Sequence, residues 1–266
     1  MRRAASALDA GAETLMTVER GLEVLRAFRS DRAPLSNAEL VRRTGLSKAT
    51  VSRLTSTLMQ VGFLGQVPGR REFELSAGSL GIGHAYLSTS ELLRAAQPWM
   101  QTLADRLDVS VALGIQAGND MLYVGYRVSR KVATLRLGVG SVLPMGTTAI
   151  GRAYLWGLPA TEQRRLIAEF KKEPGRDPVA LEHAIRASFG ELESTGTCAV
   201  MGGYQRSTYA VAQPVRLGRN RVLMGLSCGN ADVQPRLEAE RKRIAPVLMD
   251  AAQELQSLLA DYEGYP

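Results

Sequence analysis

The sequence contains little of the chemistry from which catalytic and metal-binding sites are usually built. Its 266 residues include two cysteines and two histidines, and these do not recur at the short spacings that hold a zinc ion. It also contains no G-x-S-x-G elbow and no phosphate-binding P-loop. We therefore expect no catalytic residue, no metal ion and no cofactor.

Long hydrophobic runs are missing as well. No apolar stretch approaches the roughly 20 residues needed to cross a bilayer, and residues 1–12 carry Arg2 and Arg3 without the apolar segment of a signal peptide. The two cysteines, Cys198 and Cys228, suit a reducing compartment. These absences predict a cytoplasmic protein with no membrane partner, whose residues 1–13 are a disordered leader.

Acidic residues are outnumbered by basic ones. The chain has 26 Asp and Glu against 33 Lys and Arg, a formal net charge of +7. That balance suits a polyanionic partner such as nucleic acid. The hydrophobic fraction of 45% is ordinary for a folded protein, and the length leaves room for two domains with separate cores.

A first helix is predicted over residues 17–30, and two short helices follow it close together in the sequence. Ser36 and Glu39 form a capping-box pattern at the start of a helix over residues 37–44, and Gly45 suits the turn that ends it. Ser47 caps a second helix, which Gly62 ends. Phe63-Leu64 and residues 73–75 then form a hairpin. This order predicts a winged helix-turn-helix.

The second of these helices has one face without a carboxylate. From Ser36 to Arg71 there are six basic residues and one acid, a local charge of +5. A helix of this kind fits the major groove of double-stranded DNA without repelling phosphates, and a basic wing reaches the backbone. An ordinary solvated helix face is the alternative. The residues predicted to bind DNA are Ser36, Ser47, Lys48, Ala49, Thr50, Ser52, Arg53, Arg70 and Arg71.

The remaining chain changes from helical to alternating patterns and back. Residues 76–93 contain a glycine-punctuated apolar linker helix, and a helix over residues 92–107 contains Pro98, which should kink or break it. The predicted strands cover residues 109–115, 121–128, 132–137, 209–215 and 222–228. The predicted helices cover residues 149–156, 161–170, 181–194 and 235–259. Helices on both sides of an antiparallel sheet make this an α+β domain.

With both halves laid out, the chain resembles the IclR family of bacterial transcriptional regulators over roughly residues 14–259. The resemblance rests on TVERGLEVLRAF, LSNAELVRRTGLSKATVSRLTSTLMQVGFL, FELSAGSLGIGHAYL, LPMGTTAIGRAYLW and YAVAQPVRLGRNRVLMGLSCGN. It implies a winged helix-turn-helix over residues 14–76, a linker helix over 77–91, and a GAF/PAS-like effector and oligomerisation domain over 92–262. It also implies homodimers, often paired into tetramers, on an inverted-repeat operator.

The resemblance further implies a pocket for a small-molecule effector, commonly an organic or aromatic acid. The positions carried over are Ala149, Ile150, Ala210, Leu226 and Cys228. The polar anchors would be Thr147, Thr148, Tyr204, Gln205, Arg206 or the backbone of Gly202 and Gly203, with Met145 and Met201 packing around the ligand. Because the carried-over positions are mostly apolar, a very small polar acid is disfavoured and an aromatic acid is preferred.

Each of these assignments has an alternative that the sequence leaves open. Ala149, Ile150, Ala210 and Leu226 equally suit an ordinary core, and Cys228 suits a small buried residue better than a reactive thiol. Gly202-Gly203 equally suits a flexible loop, and Met145 and Met201 could equally fill gaps in the packing of a core. The second domain could serve only for oligomerisation, or, as a less favoured reading, carry an enzyme activity on a GAF-like fold.

Overall fold

The chain forms two compact units, Met1–Tyr86 and Leu87–Pro266. The computed structural model describes residues 16–28, 34–132, 137–173, 175, 177–231 and 236–263. The border between the units falls inside the predicted linker at 77–91. The predicted leader, residues 1–13, lies outside the described residues.

Unit 1 is a winged helix-turn-helix, as predicted. It contains α1 (16–26), β1 (Leu35–Ser36), α2 (Asn37–Thr44), α3 (Lys48–Gln60), β2 (Leu64–Gln66), β3 (Glu72–Leu75) and most of α4 (Ala77–Thr89). The strands form a small antiparallel sheet in the order β1-β3-β2. Its core is the buried cluster Val24, Leu35, Leu40, Val51 and Leu64. The sequence did not reveal β1, because two residues are too short to show a strand pattern.

Two boundaries in unit 1 differ from the predictions. The first helix ends at residue 26 and not at 30, although residues 29 and 30 lie outside the described part. The cap that ends α3 is Val61, whose backbone N–H bonds to Thr57 O, and Gly62 follows it with φ +79°. A glycine is required one step after the helix because that left-handed conformation strains any residue with a Cβ.

The helix α4 occupies the predicted linker position and buries none of its side chains. Its start lies close to the end of α3, because a Cβ on Gly78 would stand 2.4 Å from the carbonyl oxygen of Gly62. Ser76 Oγ donates to that same carbonyl. Leu80 and Ile82 are 74% and 62% exposed, so α4 presents an apolar surface to its surroundings.

Unit 2 is built on one six-stranded antiparallel sheet in the order β6-β5-β4-β9-β8-β7. The strands are β4 (Ser110–Ala117), β5 (Asp120–Val128), β6 (Val142–Pro144), β7 (Cys198–Met201), β8 (Thr208–Leu217) and β9 (Val222–Ala231). The helices are α5 (Glu91–Leu107), α6 (Ala149–Gly157), α7 (Ala160–Phe170), α8 (Pro178–Thr195) and α9 (Leu237–Leu258). The predicted α+β architecture is confirmed.

Each face of this sheet carries its own core. On one face Val111, Leu113 and Leu226 pack with residues of α5 and α9. On the other face Ala112 and Ala212 pack with residues of α6, α7 and α8. Because side chains alternate along a strand, neighbouring residues such as Val111 and Ala112 enter different cores.

Two predictions for unit 2 need correction. Pro98 does not break α5, which continues from Glu91 to Leu107; Pro98 is exposed and removes only one backbone hydrogen bond of the helix. The strand predicted over 132–137 is not observed at Val132 or Leu137, and residues 133–136 lie outside the described part. The strand beside β5 is instead β6. Residue 235, the predicted start of α9, is also outside the described residues.

Candidate functional site

Hydroxyl caps hold the starts of α2 and α3, and one glycine makes the turn between the two helices. Ser36 Oγ accepts the Glu39 N–H at 3.2 Å, and Ser47 Oγ accepts the Thr50 N–H at 3.2 Å. Gly45 turns the chain between the helices with φ +70°. These local bonds set the angle at which α3 leaves α2, and with it the direction of the exposed face of α3.

The N-terminal half of α3 separates buried from exposed residues. Val51 and Thr55 are buried in unit 1, whereas Lys48, Ser52 and Arg53 are exposed. The first turn carries no acidic residue. The other predicted DNA-binding positions on this helix start are exposed at Ser47 and Ala49 and half-buried at Thr50, and Ser36 is half-buried because its hydroxyl caps α2.

The wing carries its two arginines at the turn between β2 and β3. Gly69 makes the turn with φ +73°, and Gln66 Nε2 donates to Arg70 O at 3.0 Å. Arg71 is exposed, and Arg70 lies 3.5 Å from the Glu72 carboxylate while remaining two-thirds exposed. Both cations are therefore available at the tip of the hairpin.

The carboxylate of Glu39 does not complete the predicted capping box. It accepts hydrogen bonds from Arg42 at 2.8 and 2.6 Å and from Arg43 at 2.7 Å. These arginine hydrogen bonds hold the pKa of Glu39 at about 2, below its usual range. Two of the six basic residues counted in the local charge of +5, Arg42 and Arg43, are thus engaged with the one acid of that stretch, and Arg43 also donates a hydrogen bond to Ala27 O.

A cavity of about 50 Å³ lies in unit 2, between the sheet and the loop that precedes α6. Its floor consists of small residues on three neighbouring strands: Ser110, Ala112, Ser227, Gly229 and Ala210. Ser110 pairs with Gly229, which pairs with Ala210. Two strand spacings make this row about 10 Å wide. Small side chains on adjacent strands leave a flat surface.

Two tyrosines of β5 form one wall of the cavity. The rings of Tyr123 and Tyr126 are stacked, with centroids 6.0 Å apart and planes at 16°. Ser227 lies beside Tyr123 and Ser110 beside Tyr126, and the Ser110 hydroxyl donates to Gly229 O at 2.8 Å. Burial raises the pKa of both phenols. The wall is therefore neutral at physiological pH and offers hydroxyl groups for hydrogen bonds.

The start of α6 forms the opposite boundary. Thr148 caps this helix: its hydroxyl accepts the Gly151 N–H at 3.3 Å and donates to Pro144 O at 2.8 Å. Thr148, Ala149 and Ile150 all line the cavity. The first backbone N–H groups of a helix have no partner within it, so this end of α6 brings donors and a partial positive charge to the cavity.

A second loop reaches the cavity from the β7 edge of the sheet. The Thr147 hydroxyl donates to Gly203 O at 2.8 Å and ties this loop to the one before α6. A Cβ on Gly203 would stand 2.4 Å from Thr147 O, so only glycine permits the approach. Gly203 and Tyr204 both line the cavity.

The structure brings together only part of the predicted effector set. Six of those residues line the cavity: Thr148, Ala149, Ile150, Gly203, Tyr204 and Ala210. Met145 is fully buried in the core beside α6 and α8. Thr147 makes the inter-loop bond instead, and Gly202, Gln205 and Arg206 are exposed outside the lining, as is Met201.

Leu226 and Cys228 lie on the other face of the sheet. Both are fully buried in the core with α5 and α9, and burial raises the pKa of the Cys228 thiol to about 12. Their neighbours Ser227 and Gly229 face the cavity. The carried-over positions are therefore one residue out of phase, because alternation along β9 sends adjacent side chains to opposite faces.

Sequence reasoning missed the floor and the tyrosine wall. The residues that it did not name are Ser110, Ala112, Tyr123, Tyr126, Leu137, Leu143, Val200, Thr208, Tyr209, Ser227 and Gly229. The period-two pattern of small residues in β4 and β9 was a usable signal. Several missed residues carry hydroxyls, so the lining is more polar than predicted, although no charged side chain belongs to it among the described residues.

Within the described ranges, no three His, Cys, Asp or Glu side chains converge as metal ligands. No helix in those ranges is both long and apolar enough to cross a membrane.

Comparisons with known proteins cover both units. The family model "IclR helix-turn-helix domain" matches residues 17–68, and "Bacterial transcriptional regulator IclR C-terminal" matches residues 84–257. The HTH-type transcriptional regulator TsaQ1/TsaQ2 of Comamonas testosteroni is 30% identical, over 94% of this chain and 90% of that protein.

Solved structures agree with these matches. The crystal structure of an IclR family transcriptional regulator from Brucella abortus is 30% identical with a TM-score of 0.82, covering 91% of this chain and 92% of that one. An IclR homologue from Microbacterium hydrocarbonoxydans, crystallised with 4-hydroxybenzoate, is 20% identical with a TM-score of 0.62, covering 91% of this chain and 98% of that one. The latter likeness is one of fold.

Proposed function

The chain belongs to the IclR family of bacterial transcriptional regulators, and from this premise we propose that it is a DNA-binding regulator controlled by a small organic acid held in the cavity of unit 2. The observation that carries the ligand proposal is the cavity itself. It joins a flat floor of small residues, a wall of neutral hydroxyls and the open start of a helix.

Unit 1 supplies the DNA contacts in this proposal. The exposed start of α3, with Lys48, Ser52 and Arg53, enters the major groove of the operator. Arg70 and Arg71 extend from the wing to backbone phosphates. The absence of acid from the first turn of α3 supports this orientation, because a carboxylate there would repel the phosphates.

Unit 2 holds the ligand with its ring flat on the floor formed by β4, β9 and β8. The carboxylate lies at the start of α6, where free N–H groups and the helix dipole stabilise an anion. The start of α6 is thus proposed as the carboxylate anchor in place of Arg206, which is exposed outside the cavity lining. The 4-hydroxybenzoate bound to the Microbacterium homologue supports an aromatic acid as the ligand class.

The cavity is smaller than such a ligand. A space of about 150 Å³ holds one benzene ring, whereas the cavity measures about 50 Å³. Binding therefore requires the wall or the loop at Gly203 and Tyr204 to move outward. Breaking the hydrogen bond from Thr147 to Gly203 is the smallest change that frees this loop.

The regulator acts as a homodimer, with pairing into tetramers on the inverted-repeat operator. The exposed apolar residues Leu80, Ile82 and Tyr86 of α4 support a second copy as the partner of that helix. A two-fold protein matches half-sites about one DNA turn apart. A stable monomer in analytical ultracentrifugation at micromolar concentration would contradict the dimer.

The ligand-sensing role of unit 2 is favoured over the two alternatives, a domain that only oligomerises and an enzyme on a GAF-like fold. A domain that only oligomerises needs no hydroxyl-lined cavity at a helix start, and the relatives that match are transcriptional regulators and not enzymes. A regulator of DNA works in the bacterial cytoplasm, and no cofactor enters the proposal.

Thermal-shift measurements on the full chain test the ligand class. Benzoate, 4-hydroxybenzoate and phenylacetate at millimolar concentration should raise the melting temperature, because a ligand of the folded state stabilises it by mass action. Glycerol and short aliphatic oxo-acids serve as controls and should have less effect. If no aromatic acid shifts the melting temperature, or if the oxo-acids shift it more, the proposed ligand class is wrong.

A further inference from the structure

We propose that Arg152 supplies the positive charge for the bound carboxylate, acting from outside the cavity as a positioning residue behind the start of α6. This inference rests on the proposed function, because it concerns the charge of the same ligand. It answers a difficulty in that proposal: the described cavity lining contains no charged side chain, and an anion without compensation is costly to desolvate.

The guanidinium of Arg152 is fixed by three acceptors on two elements. Its Nε donates to Gly146 O at 3.0 Å, in the loop that leads to the cavity. One terminal nitrogen donates to Ala184 O and to Ser188 Oγ, both at 3.1 Å and both in α8. All three acceptors are uncharged, so these bonds hold the group in place without neutralising it.

Acidic groups near Arg152 are already engaged elsewhere. Arg152 takes part in none of the ion pairs found among the described residues. Glu191 acts on it only at longer range, and the Glu191 carboxylate accepts the Ala199 N–H at 3.0 Å and lies 3.8 Å from Arg241. The Cys198 thiol nearby is neutral, since burial raises its pKa to about 12.

The hydrogen bond from Arg152 Nε to Gly146 O, two residues before the cap Thr148, places the guanidinium charge near the start of α6. Arg152 follows Ala149 by three residues, and residues three apart on a helix are neighbours about 5–6 Å apart at Cβ. Ala149 lines the cavity. Partial burial lowers the pKa of Arg152, but a guanidinium remains charged in proteins. Partial burial also limits screening by solvent and salt, so its field adds to that of the helix dipole.

The other end of α6 offers a matched control. Arg216 donates to Gly157 O at 2.9 Å, at the last residue of the helix, and its side chain is exposed. A helix of nine residues places this cation about 12 Å from the first turn. The substitution Arg216→Met removes one positive charge from the protein, as Arg152→Met does, but removes it from the end of α6 far from the cavity.

Isothermal titration of the full chain with acids and their amides tests the inference. Benzoate, 4-hydroxybenzoate and phenylacetate are each paired with the matching amide, which has nearly the same shape but no charge. We expect Arg152→Met to weaken binding of the acids about tenfold while changing amide binding less than threefold. Arg152→Lys should restore most of the preference for the acid, and Arg216→Met should leave both affinities unchanged.

Two results overturn the inference in distinguishable ways. If the parent protein binds an acid and Arg152→Met weakens acid and amide equally, Arg152 is only a structural support and the proposed function stands. If the parent binds none of the acids, the ligand class fails and Arg152 has no anion to stabilise. An equal loss of acid preference in Arg216→Met would show an effect of net charge alone, and would also overturn the role of Arg152.

Discussion

The DNA-binding face of unit 1 and the cavity of unit 2 are built in opposite ways. The face consists of exposed, cationic or small polar side chains that lie within a few residues of one another on α3. The cavity consists of uncharged, largely buried residues from β4, β5, β8 and β9 and from two loops. The first site is made by local structure, and the second exists only when distant strands are paired.

This difference determines how each site should fail. A surface that attracts phosphates loses affinity in small steps, since each cation contributes separately and is screened by salt. The cavity should respond sharply to volume added on its floor, because the paired strands beneath it cannot move aside. The predictions below separate the two sites, beginning with the largest effect.

The largest difference between the effects on DNA binding and on acid binding should come from a substitution in the small core of unit 1. Leu40 is fully buried among five buried residues, and Leu40→Ala should lower the free energy of unfolding of this unit by about 2–5 kcal/mol. DNA binding should be lost at growth temperature, while binding of the acid to unit 2 persists. Circular dichroism with operator binding and calorimetry checks both; loss of acid binding as well would contradict the separation.

Filling the cavity should weaken ligand binding to unit 2 while leaving DNA binding by unit 1 intact. Ala210 lies on the floor and Ala149 at the start of α6, so Ala210→Trp and Ala149→Trp should weaken acid binding at least a hundredfold. Operator binding without ligand should stay within twofold of the parent. Leu226→Met, on the other face of the sheet, is the matched control and should leave the calorimetric affinity nearly unchanged.

Single cations on α3 should have intermediate effects. Arg53→Ala and Lys48→Ala remove exposed charges near the start of that helix. A lost base contact costs about 1–3 kcal/mol and relaxes one operator position, whereas a lost phosphate contact reduces the salt slope by about one. Fluorescence anisotropy at several salt concentrations distinguishes them. Parent-like affinity and slope in both variants would show that another surface reads the operator.

The wing should contribute affinity without sequence preference. Replacing Arg70 and Arg71 together by alanine should weaken operator and random DNA by the same factor and lower the salt slope by about two. Competition titrations with both DNAs measure the ratio. A loss confined to the operator would make the wing a reader of bases.

The smallest predicted effect is a loss of stability at acid pH, and it concerns unit 1 alone. The pKa of Glu39 is held at about 2, below the 4.5 of the free side chain, by Arg42 and then Arg43. Its contribution to stability is therefore complete above pH 4.5 and is lost as the pH falls toward 2. Glu39→Gln should flatten this part of the pH profile of urea unfolding, and high salt should do the same because salt screens ion pairs near the protein surface. An unchanged profile would count against the ion pairs.

The two sites also differ in how far the sequence predicts them. Caps at Ser36 and Ser47 and the turn at Gly45 are local signals, and the structure has helices where those signals place them. The carboxylate of Glu39 was assigned to the wrong partner because Arg42 and Arg43 compete for it at i+3 and i+4.

The cavity depends on information that local patterns do not contain. The position of β9 was predicted, but which of its alternate residues faces α6 depends on its pairing with β4 and β8. A shift of one residue exchanges Leu226 and Cys228 for Ser227 and Gly229. Arg152 has no motif either, since its acceptors are carbonyls and a hydroxyl brought together from the loop before α6 and from α8.

The small volume of the cavity has a kinetic consequence. If a space of about 50 Å³ must widen before a ring can enter, only the minor open form accepts ligand, and the apparent affinity falls by the fraction that is open. In stopped-flow mixing the observed association rate should then level off at high ligand concentration, at the rate of opening. Thr147→Val, which removes the hydroxyl bonded to Gly203 O, should raise that plateau.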